Sequence, residues 1–306
     1  MFWLSSQFKP LSKESDKKKN QPLISPSVTA DFHREVDPRI WRACAGASVQ
    51  ISTLYSRVYY FPQGHIEHFS SLISSSSFST ALVPCVVSSV ELLADPITDK
   101  VFAHLSLQPI SSEHFAPSNF SRYKSDEEEN KVVTTFAKIL TASDANNGGG
   151  LSVPRYCTDS VFPPLDFHAD PPVQKLFITD IHGVVWDFWH IYHGTPRRHL
   201  LTTGWSKFVN GKKLIAGDSV VFMRKSVDEM FIGVRRALVS GGDEYYGGGK
   251  KGFRRTGKGK LNAEAVSEAV NKAVQGYPFE VVYYPTAGWS DFVVRAKDVE
   301  ASMAGY

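Results

Sequence analysis

The side chains best suited to chemistry lie in one stretch, HGTPRRHLLTTGWSKF, residues 193–208. Arg197 and Arg198 follow a Gly-Thr-Pro turn and precede LLTTGW, which can re-enter a strand. Two guanidiniums at a loop tip between strands are placed to probe a groove. An arginine fork can bond guanine O6 and N7 together. Pro196 stiffens such a tip and lowers the entropy cost of docking. The hydroxyls of Thr202 and Thr203 and the ammonium of Lys207 suit phosphate oxygens. The same residues also fit a solvated basic hairpin.

Charge adds to the nucleic-acid reading. Residues 131–240 hold 13 Lys and Arg against nine Asp and Glu. Arg197, Arg198, Lys207, Lys212 and Lys213 share the 197–213 stretch with no carboxylate. A basic face on a near-neutral domain is the expected electrostatic footprint. A second run, KKGFRRTGKGK at 250–260, carries Lys250, Lys251, Arg254, Arg255, Lys258 and Lys260 without an acid. It reads as a nuclear localisation signal or nonspecific nucleic-acid contact, or as a solvated linker.

Other chemistries find less support. The loop TASDANNGGG, 141–150, can cradle phosphate with backbone amides, but it lacks the GK[ST] of a nucleotide P-loop. His182, His190, His193 and His199 invite a metal, yet no cysteine or carboxylate completes a ligand set at a useful spacing. We expect no metal and no cofactor. Neither a G-x-S-x-G elbow nor an H-E-x-x-H pair is present, so no enzyme is expected. Cys44, Cys85 and Cys157 are too far apart for a disulfide framework, which suggests a reducing compartment. The start does not read as a secretory signal, and no run of 18 apolar residues predicts a membrane span.

The elements that position these residues follow from pattern. A chain of 306 residues with net charge +3 allows two domains. Residues 1–36, with Lys17 to Lys19, read as a disordered arm. Asp37 and Pro38 can start a helix carrying Ile40, Trp41 and Ala45 inward. Segments 57–62 and 79–109 read as strands, with the ambiguous HFSSLISSSSFS between them. Residues 111–133, with the acidic block Asp126 to Glu129, read as a linker. Residues 134–238 hold many short strands and two helices at most, which predicts a β-barrel. Two hairpins are expected there, one turning at His182-Gly183 and one at 225–229. In the strand VVWDFWHIY, Trp186, Phe188, His190 and Tyr192 share one face; Val185, Asp187, Trp189 and Ile191 share the other. The glycine-rich stretch 239–260 reads as a linker. In LNAEAVSEAVNKAVQG, Ala263, Val266, Val270 and Val274 recur at helical spacing, with Gly276 at its end. Residues 261–306 are too few for a domain, so they are expected to complete the sheet begun before residue 110. The barrel is then an insertion into a split α+β domain, and the fold is mainly β with a few helices.

Several of these stretches together resemble a known family. VDPRIWRACAGASVQI and VYYFPQGHIEH are similar to the opening of the plant auxin response factors. FAKILTASD, PPVQKLFITDIHG, RRHLLTTGWSKFVNGKKLIAGDSVVFMR and MFIGVRR resemble their B3 DNA-binding domain; GKLNAEAVSEAV, PFEVVYYPTAGWSDFVVRA and VEASM resemble the segment after it. The resemblance covers residues 37–306 and is greatest with the short, repressor-type members. It implies a seven-stranded open B3 pseudobarrel inserted into a dimerisation domain. It also implies a nuclear factor that binds double-stranded DNA at TGTC-type auxin response elements, as a homodimer or with related factors, and no membrane role. Arg198 and Pro196, with Arg197 beside them, match base-reading positions. Lys138, Ser143 and Thr203 match positions near the DNA backbone, in company with Thr141, Thr202 and Lys207.

Three positions depart from the family pattern. Gly148, ahead of Gly149, stands where the first reading loop usually has histidine. His193 stands where the second has arginine, and Trp189 replaces an arginine before His190. Arginine keeps its charge throughout the physiological range, while an ordinary histidine is mostly neutral at pH 7. The resemblance therefore implies weaker binding than in typical members. The family continues into an ancillary β domain beyond VEASM, so the second half of the dimerisation domain is expected to be incomplete. The alternative reading is a dimerisation partner with weakened DNA binding that sequesters full-length relatives.

Overall fold

Asp37 starts the first helix, α1 (Pro38–Ala45), by accepting a hydrogen bond from the Arg39 N–H at 2.9 Å. Hydrogen bonds from the Arg39 side chain hold the Asp37 carboxyl well below the usual carboxylate range. Trp41 is fully buried, and its Nε1–H donates to the carbonyls of Leu93 and Phe102. Those carbonyls belong to β2 (Val83–Ala94) and β3 (Val101–Pro109), so one indole pins the helix to both strands of a hairpin. Ile40 and Cys44 fill the rest of its buried face, and Ala45 is only half-buried.

The structure is a computed structural model describing residues 34–46, 49–69, 82–111, 133–146, 148, 150–237, 263–285 and 291–304. All of these lie in one unit, His33–Tyr306. Val36, read from sequence as the end of the arm, is 5% exposed, and its N–H donates to the Leu92 carbonyl. Residues ahead of Asp37 are therefore part of the packed structure. Most of the arm, the serine-rich segment, the acidic block and the basic run lie outside the described residues.

Two sheets carry the fold. The first has five strands in the order β11-β3-β2-β1-β12. It adds β1 (Arg57–Tyr60), β11 (Phe279–Tyr283) and β12 (Val293–Arg295) to the β2–β3 hairpin. Strands from both ends of the chain thus share one sheet, and β1 pairs with β12 through Val58↔Arg295. Pro62, expected in a strand, instead opens α2 (Pro62–Phe69), where its missing N–H costs nothing. Helix α5 (Ala263–Gln275) buries Val266, Ala269, Val270 and Ala273. Val274, expected inward, is 56% exposed. The small alanines shift the buried stripe by one position, because Ala fits either face. Helix α6 (Ala296–Ala304) follows β12.

The second sheet has seven strands in the order β4-β9-β10-β6-β7-β8-β5. They are β4 (Thr134–Ile139), β5 (Leu151–Val153), β6 (Val173–Asp180), β7 (Val185–His193), β8 (Arg198–Leu201), β9 (Ser219–Arg224) and β10 (Met230–Arg235). Every pairing is antiparallel except β10 with β6. The expected hairpins form as β6–β7 and β9–β10, giving a half-barrel with β4 and β5 at its edges. Helix α3 (Arg155–Val161) packs against β4, β8 and β9 and bridges that opening. With α4 (Trp205–Lys212) it encloses a core of Leu151, Phe162, Phe188, Trp205, Phe208 and Phe222.

The two sheets meet through charge. The turn between β2 and β3 projects Asp99, in a left-handed conformation at φ +58°, which Asp tolerates better than most residues. Its carboxylate receives Lys212 at 2.7 Å, Arg236 at 3.0 Å and His182 at 3.0 Å. Lys212 also bonds Asp180 at 2.7 Å, and Arg236 bonds Asp218 at 3.2 Å. Burial works to raise the Asp180 carboxyl, but hydrogen bonds from Lys212 and Trp186 outweigh it and hold the group low. Arg235 meanwhile donates to the carbonyls of Ala43 and Cys44 at the end of α1. Asp99→Ala removes the carboxylate that Lys212 and Arg236 share but leaves them Asp180 and Asp218, so the loss should fall below the ~3–5 kcal/mol of an uncompensated buried charge. Denaturant unfolding of the full chain should show that loss, with Asp99→Asn between the two.

Candidate nucleic-acid interface

The expected loop tip forms. Strands β7 and β8 pair in the register Tyr192↔His199 and His193↔Arg198, leaving residues 194–197 as the connection. Gly194 lies at φ +101°, a conformation that glycine supplies without strain, and the Thr195–Pro196 bond is cis. His193, Pro196, Arg197 and Arg198 are all exposed.

A neutral polar network lies under the tip. His190 and His199 are buried, with His190 Nε2 3.0 Å from His199 Nδ1. Gln174 Nε2 reaches both the Pro163 carbonyl, at 3.0 Å, and His190 Nδ1, at 3.1 Å. A carbonyl only accepts, so this nitrogen is the amide donor and His190 Nδ1 is an acceptor. Neutral His190 then carries its proton on Nε2 and donates it to His199. Burial lowers His190 from its usual 6.5 to about 4 and lowers His199 as well.

The first loop is organised by Asp144. Its N–H donates to Thr141 Oγ1 at 3.2 Å, and its Oδ2 accepts from the Thr141 N–H at 2.9 Å. This is the reciprocal pair of a capping box, and the T-x-x-D spacing is its sequence signal. Oδ2 also accepts from Lys138 Nζ at 2.8 Å and Thr141 Oγ1 at 2.8 Å. Burial pushes the Asp144 carboxyl up, and these donors outweigh it and bring it below the ordinary range. The Asp144 carbonyl accepts from Trp205 Nε1 at 2.7 Å, which ties the loop to α4. Lys138, expected at the phosphates, is therefore bonded to the loop it supports. Thr141 and Ser143 are exposed, with their hydroxyls 2.9 Å apart. Gly148 is exposed and open around its Cα, while Gly149 lies outside the described residues.

Backbone contacts bring this loop to the far end of β8. A Cβ on Gly150 would collide with the Leu201 carbonyl, so the close approach requires glycine. The loop thus meets β8 at Leu201 and Thr202, while the tip begins at Arg198, ~10 Å away along a four-residue strand. Thr202 is half-buried and donates through its hydroxyl to the Trp189 carbonyl; Thr203 and Lys207 are exposed. Gly204, at φ +95°, sits directly on the Asp187 carbonyl and turns the chain into α4. Lys212, counted from sequence with the basic stretch, is only 11% exposed and belongs to the Asp99 network. The six basic residues of 250–260 lie outside the described residues. Among the described residues no cluster of three or more His, Cys, Asp or Glu is arranged to hold a metal, and no helix is long and apolar enough to cross a membrane.

The half-open seven-stranded sheet, with its helix across the opening and its basic hairpin, falls within residues 136–237, which match the B3 DNA-binding domain but for the first residues of β4. The flanking segments extend the likeness. Auxin response factor 17 of Arabidopsis thaliana is 65% identical over 311 residues, covering 93% of this chain and 53% of that protein. Auxin response factor 8 of Oryza sativa subsp. japonica is 48% identical over 302 residues, covering 92% and 44%. The chain belongs to the auxin response factor family, whose members are DNA-binding factors and not enzymes. It spans about half the length of the curated relatives it matches. Among solved structures, the Arabidopsis FUS3–DNA complex is similar at 24% identity and a TM-score of 0.30, covering 33% of this chain and 96% of that chain.

The His190 shift has a defined sign. Its folded pKa is lowered, so the unfolded chain binds more protons between about 4 and 6.5. Stability is full above 6.5 and declines as pH falls through that window. His199 contributes with the same sign. The thermal midpoint of the chain should fall from pH 6.5 to pH 5, and His190→Gln should flatten part of that slope.

Proposed function

We propose that this chain is a sequence-specific transcription factor of the auxin response that reads TGTC-type elements in double-stranded DNA. The observation that carries the reading is the exposed Pro196–Arg197–Arg198 tip on a hairpin anchored by two buried histidines. A guanidinium held at such a tip can reach a guanine edge in the major groove. Thr203, Lys207, Thr141 and Ser143 offer hydroxyls and a cation for phosphates on either side. Lys138 acts there by holding Asp144, and Gly148 and Gly149 let the first loop approach the DNA closely. His193 pairs with Arg198 at the mouth of the tip and stands as a weaker contact than an arginine.

The remaining parts of the reading rest on the family. Its members regulate transcription in the nucleus, and the basic run at 250–260 suits import. The flanking sheet pairs the chain with a second copy or a related factor. Likeness to the short members favours repression over activation.

The test is binding of the purified chain to a duplex with two inverted TGTC sites against a scrambled duplex, over a salt series. Selective binding supports the proposal. Equal or absent binding by folded protein overturns it and favours a partner that sequesters relatives. Arg198→Ala should cost ~1–3 kcal/mol and relax discrimination. Lys207→Ala should weaken both duplexes alike and reduce the salt slope by about one. His193→Arg should raise affinity.

A further inference from the structure

The register of the second sheet sets out its outer face in rows. His193 pairs with Arg198 at the tip. Ile191 comes next, between Val173 of β6 and Leu200 of β8, with Ser152 beyond. Trp189 follows, between Lys175 and the chain at Thr202 and Thr203. Its N–H donates to the Thr203 carbonyl at 3.0 Å, and its carbonyl accepts from the Thr202 N–H at 2.8 Å. Gly150 abuts the same Leu201–Thr202 segment. Strand alternation turns His193, Ile191 and Trp189 outward and Phe188 and His190 into the core. Trp189 is 41% exposed. A large indole therefore stands on the face that bears Arg198, between the tip and the first loop.

We propose that Trp189 is a specificity-determining DNA contact whose indole packs on thymine methyl groups; this rests on the base-reading function above. Apolar surface is scarce where a protein meets a groove. In the major groove the thymine methyl is the apolar group displayed by the base edges. An indole so placed gains by covering it, and it can also lie along the adjoining sugars. The next row marks the limit of the contact. There Asp187 bonds Lys175 at 3.0 Å, and Lys175 lies 5.1 Å from the centre of the Phe177 ring. A carboxylate at that row disfavours phosphate beyond it.

The experiment compares the unaltered chain, Trp189→Ala, Trp189→Phe and Arg198→Ala on three duplexes: TGTC, the same site with its thymines replaced by uracil, and a scrambled site. Uracil lacks only the methyl. The unaltered chain should bind the uracil duplex about 4-fold more weakly for each methyl covered. Trp189→Ala should bind TGTC on the order of tenfold more weakly and no longer distinguish thymine from uracil. Trp189→Phe, which keeps an aromatic ring in the strand, should retain part of the distinction. A Trp189→Ala variant that keeps the full thymine preference overturns the proposal, as does an unaltered chain without one. If the unaltered chain fails to separate TGTC from the scrambled site, the base-reading function itself fails. If it separates them through Arg198 alone, only the role of Trp189 is lost.

Discussion

The Asp99 carboxylate holds Lys212 from α4, Arg236 from the end of β10 and His182 from the β6–β7 turn, in a place almost closed to water. Three elements of the seven-stranded sheet thereby converge on one turn of the five-stranded sheet. The charges alternate, because Lys212 continues to Asp180 and Arg236 to Asp218. Each buried ion keeps an opposite charge and further hydrogen bonds, the condition under which a buried ionic network offsets its desolvation cost. Apolar packing reinforces the joint. Val221 and Met223 of β9 turn away from their own core and join the core of the first sheet, and Cys44 of α1 rests against Gly233. The orientation of the arginine tip relative to the flanking sheet follows from this joint.

The joint also decides which cations face solvent. Lys212 and Arg236 are consumed by it, and Lys138 is consumed by Asp144. Arg197, Arg198 and Lys207 remain exposed around β8 and the start of α4. Under the reading proposed above, so few exposed cations around β8 among the described residues favour a fit of the tip to a groove over phosphate contacts alone. That dependence on geometry is consistent with the rigid construction beneath the tip.

Local pattern made much of this legible from residues alone. The alternation in β7 correctly separated Phe188 and His190 from Trp189, because a strand has a period of two whatever it packs against. Turn chemistry marked both hairpins, and the Gly-Thr-Pro-Arg-Arg run marked the tip. What failed was long-range. Asp99 and Arg236 are 137 positions apart, and nothing local to either announces the other. Lys212 therefore looked like part of a basic face. Helix α5 was misphased for a different reason: alanine satisfies either face, so Val274 looked as buried as Val270 until the sheet chose the stripe.

The two faces of β7 show why the buried histidines must stay neutral. His199 is next in sequence to Arg198, and His190 is next to Trp189, so the network lies one side chain beneath the face that bears Arg198 and Trp189. An imidazolium there would be a like charge close to Arg198 in a poorly solvated site. It would also lose the acceptor nitrogen that links Gln174, His190 and His199 into one chain of donors and acceptors. Burial prevents this by disfavouring the charged form of both rings. The interior thus supplies hydrogen bonds that fix the hairpin without adding charge to it. The positive charge at the tip then comes from Arg197 and Arg198, both exposed.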